Sequence, residues 1–125
     1  MFGVDAASRK YSTLHQRYSR SGEIPQPVRD AIVRAIQLKQ AVLDIDEQVA
    51  RRTSQVSDIG AEQERIREDM KTVEPKSQYY ERMLSKLNDQ ESTIERLQKE
   101  RDDLLARRDG ARRALEEYLN GLTTG

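Results

Sequence analysis

Apolar residues recur along most of this chain at alternating steps of three and four, and that rhythm predicts nearly all of its elements. One set of positions comprises Val28, Ala35, Val42, Val49, Val56, Gln63 and Met70, and a second comprises Ala31, Leu38, Ile45, Arg52, Ile59, Ile66 and Val73. Only Gln63 and Arg52 interrupt the apolar run. A seven-residue repeat held this long predicts a coiled-coil helix over 28–73. Gly60 does not break its phase, so it reads as a helix-interior glycine tolerated at a cost of about 1 kcal/mol against alanine. The pattern resumes after Ser77. Tyr80, Leu87, Ile94, Arg101, Arg108, Leu115 and Leu122 form one set, and Met83, Gln90, Leu97, Leu104, Ala111 and Tyr118 the other. They predict a second coiled-coil arm over 77–122, ended by Gly121 and a tail at 123–125.

The break between the arms is Thr72-Val73-Glu74-Pro75-Lys76-Ser77-Gln78. Pro75 has no N–H to continue a helix, and its ring disfavours helical geometry at the residue before it. The first arm is therefore expected to stop near Val73, with a turn at 74–76. The Ser77 hydroxyl is placed to cap the second arm. Arms of equal length joined by so short a turn predict an antiparallel hairpin, each arm about 69 Å long at ~1.5 Å per residue. In that register Met70 meets Tyr80, Val56 meets Ile94 and Ala35 meets Leu115. The polar seam residues do not meet one another: Arg101 faces Val49, Arg108 faces Val42, Arg52 faces Leu97, Gln63 faces Leu87 and Gln90 faces Ile59. An arginine in such a place can lay its stem on the seam and put its guanidinium in water, and the polar seam residues are expected to cost stability and to help set register and helix number.

Before the hairpin, Val4, Ala7, Tyr11, Leu14 and Tyr18 share one helical face, which predicts an amphipathic helix over 1–21. Gly22, Pro25 and Pro27 mark a linker over 22–27. Several apolar residues in the half away from Pro75 lie outside a two-stranded seam: Ile32, Val33, Ile36, Leu43, Leu105, Ala114 and Leu119. Such a stripe needs a third surface. The expected fold class is therefore all-α, a long antiparallel coiled-coil helical hairpin with an N-terminal third helix packed at its open end. The rival is that the stripe docks a second chain, or an upstream domain of the parent protein.

Composition agrees with long helices. Charged residues make up 35% of the chain, with one Phe and no Trp, which does not suit a rounded globular core. Basic and acidic residues balance at 22 each, so no bulk charge argues for nucleic acid or an anionic membrane as partner. The absence of cysteine excludes disulfides and thiolate metal sites. No apolar run approaches the roughly 18 residues that span a bilayer, and the N-terminus has no signal-peptide core. The expectation is a soluble chain, cytoplasmic if it is complete as given.

Candidate chemistry is sparse. Arg9, Lys10, Arg17 and Arg20 outweigh Asp5 in the first segment, giving a possible anion contact or a solvated outer face. His15 has no second ligand in view. Asp44, Asp46 and Glu47 cluster in sequence but diverge on a helix, so a metal site is not expected there. Tyr79 should be exposed at the turn beside Lys76 and Arg82, an aromatic flanked by cations that suits a partner contact. No catalytic, cofactor or metal motif is present.

Glu62-Gln63-Glu64-Arg65-Ile66-Arg67-Glu68-Asp69-Met70, Ser77-Gln78-Tyr79-Tyr80 and Lys86-Leu87-Asn88-Asp89-Gln90-Glu91-Ser92-Thr93-Ile94-Glu95-Arg96-Leu97 carry a resemblance. Over residues 24–122 the chain resembles the C-terminal helical hairpin of a bacterial family of uncharacterised proteins, in which a β-rich domain of unknown function carries a long coiled coil. The resemblance implies a hairpin turning near Pro75, no enzyme activity and an upstream body that the apolar stripe could meet. The expected function is a non-catalytic structural or interaction module. Its protein partner is unspecified, and a homodimerisation module is one alternative. The other alternative is a binder of nucleic acid or anionic membrane through the basic first segment.

Overall fold

The computed structural model describes residue 9 and residues 23–124, the side chain of Thr124 excepted. Two long helices account for almost all of these residues: α1 (Gln26–Met70) and α2 (Gln78–Thr124). They are in contact and are joined by a short turn, so the described chain is an all-α helical hairpin. The N-terminal helix expected over 1–21 and the start of the linker lie outside the described residues. Arg9 alone is described there, helical and exposed.

α1 opens two residues earlier than the repeat predicts. The Pro25 carbonyl accepts the first two bonds, from the Val28 N–H at 3.0 Å and the Arg29 N–H at 3.1 Å. Pro27 thus falls inside the first turn, where a missing donor leaves no bond unmade. At its other end α1 stops at Met70, three residues short of the expected Val73. The residue four before Pro75 is Lys71, whose carbonyl the proline ring displaces and cannot bond. The chain answers by tightening its last turn. Lys71, Thr72 and Val73 donate to the carbonyls of Glu68, Asp69 and Met70 at 3.3, 3.2 and 3.3 Å, each three residues back.

Ser77 caps α2. Its Oγ accepts the Tyr80 N–H at 3.1 Å and donates to the Glu74 carbonyl at 2.8 Å, closing turn and helix start together. The far end corrects the sequence reading: α2 runs through Gly121 to Thr124. Gly121 stays helical with no positive φ, so no left-handed stop forms there, and nothing lies within 4 Å of a methyl group built on it. Gly60 and Gly110 are equally open. Gly60→Ala and Gly110→Ala should each stabilise the protein by about 0.5–1 kcal/mol through lower chain entropy. Thermal unfolding checks this, and a loss at either site would reveal an unseen close neighbour.

Packing divides the chain into two units, one over 47–104 and one combining residues up to 46 with those from 105 onward. None of the seam positions named from the sequence is exposed in either unit. In the 47–104 unit Ile66, Met83, Leu97 and Leu104 are the buried apolar residues, with Gln63 among them. In the other unit Ala35, Leu115 and Leu119 form a buried cluster, against which Leu38, Tyr118 and Leu122 pack.

Candidate interaction surfaces

The polar seam residues find partners beside the seam. Arg108 Nη1 donates to Asp46 Oδ1 at 3.2 Å, and Gln63 Nε2 donates to Glu91 Oε1 at 3.0 Å. Arg52 Nε lies 3.6 Å from Glu100 Oε1, too far for a hydrogen bond but close enough for charge attraction. Arg101 reaches its own neighbour, Asp102, at 3.3 Å. The arginine side chains stay partly exposed beside these contacts, Arg52 at 27%, Arg101 at 32% and Arg108 at 25%. The buried Nε atoms of Arg52 and Arg108 and Oε1 of Gln90 remain without a hydrogen bond, so each polar layer is only partly satisfied. Sequence reading missed the carboxylates of Asp46, Glu91 and Glu100. The available signal was their place next to the seam, opposite a polar core residue on the other helix.

Glu62 and Lys86 form an exposed pair at 2.7 Å across the two helices. The Lys86 hydrogen bond, then its charge, holds the Glu62 carboxyl below the usual carboxylate range. A folded-state pKa that is depressed stabilises at neutral pH, and that contribution is lost as pH falls through the folded value. Lys86→Gln should therefore raise the Glu62 titration midpoint, followed by carboxyl NMR. An unchanged midpoint would remove Lys86 as the cause.

At the turn, Tyr79 is 49% exposed and the Arg82 guanidinium lies 5.8 Å from its ring centroid, a cation–π contact. Lys76 is exposed on the turn itself. Beside them a shallow depression of about 350 Å³ has Ile66 and Met83 in its lining and Asp69, Tyr79, Arg82 and Lys86 around it. The structure therefore brings Tyr79 and Arg82 together.

The apolar stripe separates into two faces. Leu119 is 2% exposed, while Ile32 and Leu105 are half-buried. Val33, Ile36 and Leu43 remain 53%, 49% and 48% exposed on α1, and Ala114 is exposed on α2. The three carboxylates of the acidic cluster are engaged separately: Asp44 with Gln40 at 2.8 Å, Asp46 with Arg108 and Glu47 with Arg51 at 2.7 Å. Among the described residues no group of three His, Asp or Glu side chains could hold a metal ion, and no helix is long and apolar enough to cross a membrane. Lys10, His15, Arg17 and Arg20 lie outside the described residues.

Over the described residues these observations define an all-α class, two long helices in contact. No family model, no curated protein and no solved structure matches the chain.

Proposed function

We propose that the chain is a non-catalytic structural and protein-interaction module, an antiparallel coiled-coil spacer that holds its Tyr79 turn and its apolar stripe as separate contact surfaces. One observation supports the reading: every seam position predicted by the seven-residue repeat is buried or half-buried, apolar and polar alike. The cross-helix pairs add direction. From Arg52–Glu100 to Gln63–Glu91, the α1 number rises as the α2 number falls, as antiparallel partners do. A chain whose side-chain burial lies mostly along such a seam works by stiffness and by what its outer faces present.

Residues 1–21 enter the proposal as the third helix. Along one edge of α2 Leu84, Glu91 and Gln98 are exposed, whereas Leu105 and Arg112 are half-buried and Leu119 is buried. Such a change along one edge fits an added surface over the Ile32–Leu105–Leu119 side. The likeness to the bacterial hairpin family supplies the wider proposal that a β-rich body precedes this segment in the parent protein.

The test uses the lack of native cysteine. Spin labels on cysteines placed at Arg29 and Asn120 should show a separation of roughly 10–25 Å, from a helix spacing of ~8–10 Å plus label reach. That distance should survive dilution with unlabelled chain. Its loss on dilution would mean that arms pair between chains and would overturn the hairpin reading.

A further inference from the structure

The outer face of α1 carries an apolar strip with charged ends. Val33, Ile36 and Leu43 recur three and seven residues apart and are each about half exposed. Arg29 stands one turn before Val33, Gln40 lies within the strip, and Asp44 follows Leu43. The strip is thus basic at its start and acidic at its end. That order decides between partners. A parallel copy would set Arg29 against Arg29 and Asp44 against Asp44. An antiparallel copy brings each Arg29 to the Asp44 of the other chain, with Ile36 beside its own counterpart at the centre, Val33 opposite Gln40 and Leu43 opposite Asp30.

We infer that α1 pairs with a second copy of this chain through the Arg29–Asp44 strip, antiparallel and about a two-fold axis. A two-fold contact uses the same patch twice, so a patch whose two ends carry opposite charge is complementary to itself. The strip spans about 22 Å at ~1.5 Å per residue. A contact this short belongs to the weak, reversible class. The balanced charge of the whole chain, 22 basic against 22 acidic residues, leaves no net repulsion between copies. One local cost accompanies the arrangement: Asp30 also approaches Asp44 of the second copy. Arg29, next to Asp30 in sequence, sits where it offsets that approach.

The inference rests on the hairpin reading, because the strip is an outer face only when the seam is closed within one chain. Sedimentation equilibrium of the full chain from about 5 to 500 μM, the range of weak complexes, should show a monomer–dimer equilibrium. Ile36→Glu should abolish it, since two carboxylates then enter the apolar centre. Arg29→Glu and Asp44→Arg should each weaken the dimer about tenfold, each substitution altering two symmetry-related pairs. The double variant should return to within about threefold of the original. Helical circular dichroism and the 29–120 label distance confirm that each variant keeps its fold. A chain that stays monomeric at 500 μM with the short intrachain distance intact overturns the dimer and leaves the hairpin standing. Single variants that do not weaken the dimer, or that weaken it without rescue, overturn the antiparallel strip. Exchange of arms between chains overturns both readings.

Discussion

Leu115→Ala should lower the stability of the protein by roughly 2–5 kcal/mol, the range of a buried leucine truncated in a packed site. Leu115 is 2% exposed and lies in the cluster with Ala35 and Leu119. The loss combines the transfer energy of the removed methylenes with the cavity left behind. Ala35 is itself too small to fill the space, and a helix backbone cannot close on its neighbour without disturbing the layers above and below. Leu84, 43% exposed on the same helix, supplies the comparison. Leu84→Ala should change stability by no more than about 0.5 kcal/mol. Urea unfolding followed by helical circular dichroism measures both. Equal losses at the two positions would mean that burial does not rank the leucines of α2.

The second large effect concerns the arginine in the seam. Asp46→Ala should cost about 1–3 kcal/mol, because it removes the hydrogen-bond acceptor that Arg108 finds among the described residues and leaves a guanidinium in a mostly apolar layer. The side chains of Arg108 and Asp46 are 25% and 36% exposed, so water offsets part of the loss and places it toward the lower end. Arg108→Leu should behave differently. Exchanging the charge for an apolar side chain is expected to be neutral or stabilising, because the desolvated guanidinium and its unbonded Nε disappear together. The double variant Asp46→Ala/Arg108→Leu should then recover most of what Asp46→Ala loses. A double-mutant cycle in which the two changes simply add would show that the pair does not interact. Arg108→Leu should also relax register, which disulfide trapping between cysteines placed across the seam would reveal as more than one pairing.

Much of this architecture is legible in the order of residues along the chain. The seam positions follow from a helix turning once every 3.6 residues, a local property that a spacing of three and four records directly. The break follows from one proline and one serine, whose effects reach no further than a turn. The helix ends were less legible, and for a reason of the same scale. The last turn of α1 exchanges four-residue for three-residue bonds as it nears Pro75, so it stops at Met70. Gly121 ends a helix only where it takes a left-handed conformation, and here it stays helical.

The outer faces were a different matter. Leu119 and Leu43 look alike as apolar residues beside a predicted seam, yet one is 2% and the other 48% exposed. Spacing along one helix says that a side chain leaves the seam, whereas burial off the seam depends on what else arrives there. The arginines show the same division. Heptad phase placed Arg52 and Arg108 in the core. Their pairing with Glu100 and Asp46 needed the second helix in register, because opposite charges attract strongly only within a few ångströms, a distance set by packing and not by order along the chain.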